Sequence, residues 1–166
     1  MQPSLNIKNI PQRLQKWPQW VIWRLILKPG QSKPVKIPYN PVTGRAASTA
    51  DLTTWGTFEQ AVAAYQRGGY LGLGFVFSEA DPFCGIDLDH VRDAVTGELI
   101  PEAVDILKEL DSYTEVSPSG TGVHVIIEGK MPVGAWKKST LPWGVVEMYD
   151  QKRYFTVTGH LLEDLL

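Results

Sequence analysis

The sequence has a single cysteine, Cys84, so no internal disulfide can form, and its three histidines stand apart from it without zinc-ligand spacing. No apolar run reaches the ~20 residues needed to cross a bilayer. The opening Met1-Gln2-Pro3-Ser4-Leu5 lacks the basic-then-apolar order of a secretory leader. These absences predict a cytoplasmic protein with no membrane partner. Positive charge is not in excess either. Sixteen Lys and Arg against 18 Asp and Glu leave a net charge of −2, whereas nucleic-acid binders usually carry a basic footprint. Repeats and low-complexity tracts are missing too.

The charges that are present are unevenly placed. Glu98, Glu102, Asp105, Glu109 and Asp111 gather in one stretch, while Lys28, Lys33, Lys36, Arg45, Lys130, Lys137, Lys138, Lys152 and Arg153 lie in others. A fold that brings the basic groups to one side and a fold that scatters them are both open. With 166 residues, 43% of them hydrophobic, the chain can bury the core of one compact domain or of two small lobes.

Local patterns predict the elements. Residues 11–17 read as a short helix, and residues 20–27, rich in aromatic and β-branched side chains, as a buried strand. Pro29-Gly30-Gln31-Ser32 turns the chain into a return strand at 35–39. Residues 46–55 read as loop. Thr57 can cap a helix whose apolar face is Phe58, Ala61, Val62 and Tyr65, stopped by Gly68-Gly69. Strands follow at 71–77 and 83–90, read as neighbours. Pro101 opens a helix with the stripe Ala103, Ile106, Leu107 and Leu110. Strands at 113–117 and 123–128 flank a Ser/Gly/Pro loop, and 145–149 with 154–158 read as a final pair. The order predicts an α+β sheet with helices on one face. The apolar ending, residues 161–166, resembles an incomplete helix and implies a longer protein.

Three segments carry chemistry. In Asp87-Leu88-Asp89 the two carboxylates point to the same strand face, about 7 Å apart. Flanked by Phe83, Ile86 and Leu88, they are costly to bury unless a cation joins them, and two divalent ions would do so in phosphoryl transfer. A strand end emerging into water accounts for the same pair. In Ser117-Pro118-Ser119-Gly120-Thr121-Gly122-Val123-His124, hydroxyls and loop amides can bind phosphate, and a strand histidine needs a partner. A hairpin turn before a hydrogen-bonded core histidine fits equally. Glu147, between apolar strand residues, either completes a carboxylate triad or lies on an exposed edge.

In this order, the three segments resemble the motifs of the archaeo-eukaryotic primase superfamily. The matches Trp20-Val21-Ile22-Trp23, Lys36-Ile37-Pro38-Tyr39-Asn40-Pro41, Thr54-Trp55, Gly72-Leu73-Gly74-Phe75-Val76, Tyr113-Thr114-Glu115-Val116 and Arg153-Tyr154-Phe155-Thr156 narrow this further. The chain is similar to the bifunctional primase/polymerase (prim-pol) family of phage and plasmid replication proteins, from about residue 20 to residue 159.

The resemblance implies a two-lobed α+β primase core. Residues 1–70 would form an N-terminal lobe, residues 71–160 an RRM-like sheet bearing the acids, and the active site would lie between them. Asp87, Asp89 and Glu147 would hold two Mg²⁺ or Mn²⁺ ions; glutamate stands at 147 where the family often has aspartate. Ser117, Ser119 and His124 would bind nucleotide, with Arg153 and Lys36 as cationic contacts to triphosphate or template. The implied partners are a single-stranded DNA template, a primer, NTP or dNTP, and a fused or associated helicase. Two rivals remain open: a metal-dependent nuclease or phosphoesterase using the same acids, and a non-catalytic RRM-like binding module, which would show aromatics rather than acids on its sheet face.

Overall fold

A computed structural model describes residues 5–162; residues 1–4 and 163–166, with most of the apolar ending, lie outside it. Along the chain run α1 (Gln12–Gln15), β1 (Trp20–Ile26), β2 (Val35–Tyr39), α2 (Phe58–Gln66), β3 (Gly72–Phe77), β4 (Phe83–Asp89) and α3 (Pro101–Leu110). Then follow β5 (Tyr113–Val116), β6 (Val123–Glu128), β7 (Lys138–Leu141), β8 (Gly144–Tyr149) and β9 (Arg153–Val157). Single tight helical turns cover Ile7–Asn9 and Leu52–Thr54, the latter inside the expected loop. No helix of the described residues is long and apolar enough to cross a membrane. The class is α+β, with one sheet ordered β2-β1-β3-β9 and another ordered β5-β6-β4-β8-β7.

Two compact units emerge. The first comprises Ile10–Val76 with Tyr154–Val157. Its core is built around Trp20, which meets Phe58 and Phe75 edge-to-face at 4.9 and 5.3 Å between ring centroids. Phe58 arrives there because Thr57 and Gln60 cap α2 reciprocally: each side chain accepts a hydrogen bond from the other's backbone N–H. β1 pairs antiparallel with β2 and with β3. A side chain at Gly74 would press into the ring of Tyr154, which fixes glycine at that position.

The second unit takes the described residues up to Asn9, Phe77–Arg153 and those from Thr158. Strand alternation sorts its five-stranded sheet. Ile86, Leu88, Val123 and Val125 face one side and pack with Ala103 and Leu107 of α3. Each fully buried aliphatic side chain of this set contributes about 1.5–3 kcal/mol. Pro101 opens α3 and Asp111 ends it in the left-handed region.

Two expected pairings are corrected. β3 and β4 are not neighbours: β3 pairs with β1, and β4 pairs with β6 and β8. Between them Asp81 accepts hydrogen bonds from the Ser78 and Phe83 N–H groups, both at 2.7 Å, so the turn redirects the chain to the other sheet instead of folding it back. β8 and β9 likewise separate, β8 beside β4 and β9 beside β3. A turn signal marks where the chain bends, not which strands pair after it. β7 was not foreseen, because Lys-Ser-Thr-Leu is exposed throughout and carries no apolar alternation.

Candidate active site

The opposite face of the five-stranded sheet is polar, and its register lines up five side chains. Glu115 of β5 stands opposite His124 of β6, His124 opposite Asp87 of β4, Asp87 opposite Glu147 of β8, and Glu147 opposite Lys138 of β7. Directly opposed side chains across antiparallel strands are about 4.5–5.5 Å apart at Cβ, so the row is contiguous. Asp89, two residues beyond Asp87, shares this face. Asp87 therefore sits on a central strand of the sheet and Asp89 at the end of that strand, both half-buried.

Glu147 is held by three donors. Lys138 Nζ lies 2.7 Å from one carboxylate oxygen, while the Tyr149 hydroxyl at 3.0 Å and Arg153 Nη2 at 3.3 Å reach the other. Burial alone would raise its pKa, and is the strongest single influence. The hydrogen bonds from Lys138 and Tyr149, with the charges of Lys138 and Arg153, together outweigh it and hold the carboxyl below its usual range. Arg153 also stacks over the Tyr149 ring, 4.7 Å from its centroid.

His124 lies between two carboxylates. Its Nδ1 is 3.3 Å from Glu115 Oε1, and its Nε2 is 3.7 Å from Asp87 Oδ1. The partner the strand histidine requires is thus a buried glutamate of this same chain.

The serine loop closes the end of β4. Ser117 and Ser119 hydroxyls are 2.9 Å apart, and Ser119 continues to Thr121 at 3.0 Å. Arg92 Nη1 donates to the Gly120 carbonyl at 2.8 Å and holds the loop down. A Cβ on Gly122 would stand 2.9 Å from the Leu88 carbonyl oxygen, 3.1 Å from Ser117 Oγ and 3.2 Å from Asp89 Oδ1. Glycine at 122 is what lets the loop approach Asp89. β4 itself ends at Asp89, and His90 then turns left-handed at φ 63°.

Lys36 belongs to the other unit, on β2, where its ammonium lies 5.7 Å from the centroid of the Trp23 ring.

The structure brings Asp87, Asp89, Glu147, His124, Ser117, Ser119 and Arg153 into one unit. It does not gather the three acids into a formed metal centre. Among the described residues, no three His, Cys, Asp or Glu side chains converge on a common ion position. The physical reason is that Lys138, Arg153 and Tyr149 already engage both oxygens of Glu147. Asp87 and Asp89, two hard oxygen donors on one face, suit Mg²⁺ or Mn²⁺.

Comparison with known proteins adds an independent line. No family model matches the chain. A DNA primase-polymerase of Nitratiruptor phage NrS-1 is 42% identical over 160 residues, 95% of this chain. The chain is a relative of a phage primase-polymerase. It spans 21% of that protein's length. Sequence reasoning missed Glu115, Lys138, Tyr149 and Gly122. Glu115 carried one available signal: it is two residues from a tyrosine in a segment otherwise reading as strand, where a carboxylate needs donors. Lys138 carried none, since a lysine in an exposed tetrapeptide is ordinary.

Proposed function

We propose that this chain is the catalytic core of a template-directed primase-polymerase, transferring nucleotidyl groups from NTP or dNTP to a primer 3′-hydroxyl on a DNA template. The observation that carries the reading is the register His124–Asp87–Glu147 across three adjacent strands, which sets Asp87 beside residues 37 and 60 positions away on one polar surface. In this reading the five-stranded sheet with α3 is the RRM-like lobe of a two-lobed core.

Asp87 and Asp89 would hold the divalent ions, with Glu147, now hydrogen-bonded to Lys138, as the third acid of the set. When bound, the ions polarise the primer hydroxyl and neutralise charge developing on the α-phosphate and pyrophosphate. The protein's own part is positioning. His124 meets the triphosphate from β6, Ser117 and Ser119 supply hydroxyl donors beside Asp89, and Arg153 brings a guanidinium suited to phosphate. Lys36, on β2 of the other unit, is a cation suited to nucleotide or template.

The test is incorporation of labelled triphosphates on a primed single-stranded template with Mg²⁺ or Mn²⁺. Extension is expected, and Asp87→Asn or Asp89→Asn, folded by circular dichroism, should abolish it. Extension at the wild-type rate by either variant would sink the metal-holding role. Release of nucleotides from DNA without added triphosphate would favour the nuclease reading instead.

A further inference from the structure

Of the six tryptophans, Trp136 alone is exposed, at 87%, although an indole is ordinarily among the more buried side chains. It stands in the segment joining β6 to β7, and that segment is anchored at both ends. On one side Lys130 Nζ donates to the Ser78 carbonyl at 2.8 Å and the Asp150 carbonyl at 3.2 Å, and the Met131 N–H donates to Asp150 Oδ2 at 3.1 Å. On the other the Met148 N–H donates to the Lys137 carbonyl at 2.9 Å, extending the pairing of β7 with β8. Between the anchors, the Ala135 N–H closes a tight turn on the Pro132 carbonyl at 3.0 Å, with Gly134 at φ +80°. A Cβ on Gly134 would meet no atom within 4 Å, so the turn stands in open space. The charge around it is of one sign. Residues 129–146 contain three lysines and no Asp or Glu, in a chain whose net charge is −2. Lys130 serves the anchor and Lys138 bonds Glu147, while Lys137 is exposed next to Trp136. The register that sets Lys138 opposite Glu147 brings this segment to the end of β8 that leads into Lys152 and Arg153. Asp150, the acid there, is engaged by the Met131 N–H.

We propose that Trp136 and Lys137 form a contact for the single-stranded DNA template, the indole stacking on a base and the ammonium pairing with a neighbouring phosphate. A flat apolar ring beside a cation matches a single strand, in which base faces and phosphates alternate, whereas a duplex hides its base faces. A protein partner would call for a wider apolar patch, and here the indole's neighbours beyond Val133 are a glycine turn and lysines. Stacking accepts every base, because each has a π-face, and a template is read whatever its sequence. The anchors at both ends also limit the freedom that the segment loses on binding. β7 is the outermost strand beside β8, and Trp136 lies two residues before Lys138, the last member of the polar row. The contact therefore lies at the edge of the sheet that carries Asp87. It deepens the reading of the chain as a template-directed polymerase and rests on that reading.

The experiment titrates the whole chain into a fluorescein-labelled oligodeoxythymidine and follows anisotropy, with circular dichroism to confirm that each variant is folded. Trp136→Ala should weaken binding about tenfold, and Trp136→Phe should keep most of the affinity. On an abasic strand of the same length, wild type and Trp136→Ala should bind alike, since no base is there to stack. Lys137→Ala should flatten the slope of log K against log salt by about 0.7, the share of one phosphate on a single strand, while Trp136→Ala leaves that slope unchanged. Equal affinity of wild type and Trp136→Ala for the base-bearing strand would overturn the proposal. So would an equal loss on the abasic strand. A wild-type chain that self-associates in sedimentation, and is monomeric as Trp136→Ala, would overturn it too by giving the indole to a second copy. Primer extension by the wild type separates the two readings. Extension with binding indifferent to Trp136 removes this contact and leaves the polymerase; Trp136-dependent binding without extension keeps the contact and removes the polymerase.

Discussion

Replacing Glu147 by glutamine tests the charge balance at the centre of the polar row. The carboxylate is 10% exposed, whereas its cationic partners Lys138 and Arg153 are 59% and 50% exposed. Solvent therefore screens both pairs, and neither ion pair adds much by itself. Against this stands the cost of keeping the carboxylate out of water, and the hydrogen bonds that Glu147 accepts leave a net loss in Glu147→Gln of about 1 kcal/mol. For a domain of this size that lowers Tm by about 2–4 °C. The pH dependence follows from the sign of the shift. Glu147 has a lowered folded pKa, so its stabilisation is present above the unfolded value of about 4.3 and is lost as pH falls through the folded one. Lys138 has a raised pKa, chiefly from its hydrogen bond to Glu147 and the charge behind it, so its share is present below about 10.4 and is lost as pH rises through the folded value. Urea unfolding of both proteins from about pH 7 down to about pH 2 should show a gap that closes in acid. Equal stability at neutral pH, or a gap that survives acid, would refute the reasoning. Nucleotide incorporation should fall in the same variant, since glutamine is a poor ligand for a hard divalent ion.

Other outcomes follow from single contacts. Gly122→Ala places a methyl group against the Leu88 carbonyl, Ser117 and Asp89, and should cost about 1–3 kcal/mol in chemical denaturation while impairing incorporation more than stability predicts. Gly159→Ala meets the Asn6 backbone in a left-handed conformation, so a loss of more than about 2 kcal/mol is expected, and a wild-type melting curve would contradict the close approach. His124→Ala and Arg153→Ala should each weaken nucleotide binding by roughly 1.5–3 kcal/mol, the worth of a charge-assisted hydrogen bond, and leave DNA affinity nearly untouched; titrations showing equal losses for both ligands would remove them from the nucleotide pocket.

Much of the local structure was legible because it is written in nearest neighbours. Thr57 before an amphipathic stretch, Pro101 at a helix start, and the aromatic and β-branched run from Trp20 each report on a backbone conformation decided within a few residues. The polar face was partly legible for the same reason. Period-two alternation puts Asp87 and Asp89 together on one side and Ile86 and Leu88 on the other, whatever the sheet does next.

What the sequence by itself determined, then, is which side of each strand is polar and which residue types stand there. Only the tertiary structure decided which strands lie side by side. The turn at residues 78–82 is compatible with a hairpin, yet Asp81 uses it to pass the chain to another sheet, and pairing follows from burial of whole faces. That choice placed Glu147 opposite Asp87 and gave it Lys138 from a strand with no apolar pattern of its own. It also surrounded Glu115 with Tyr113, His124, Thr158 and Gly159, up to 44 positions away. An amino-acid string specifies a carboxylate; the donors that make its burial tolerable come from wherever the fold brings them, because a buried charge is stabilised by contact in space and not by proximity in sequence.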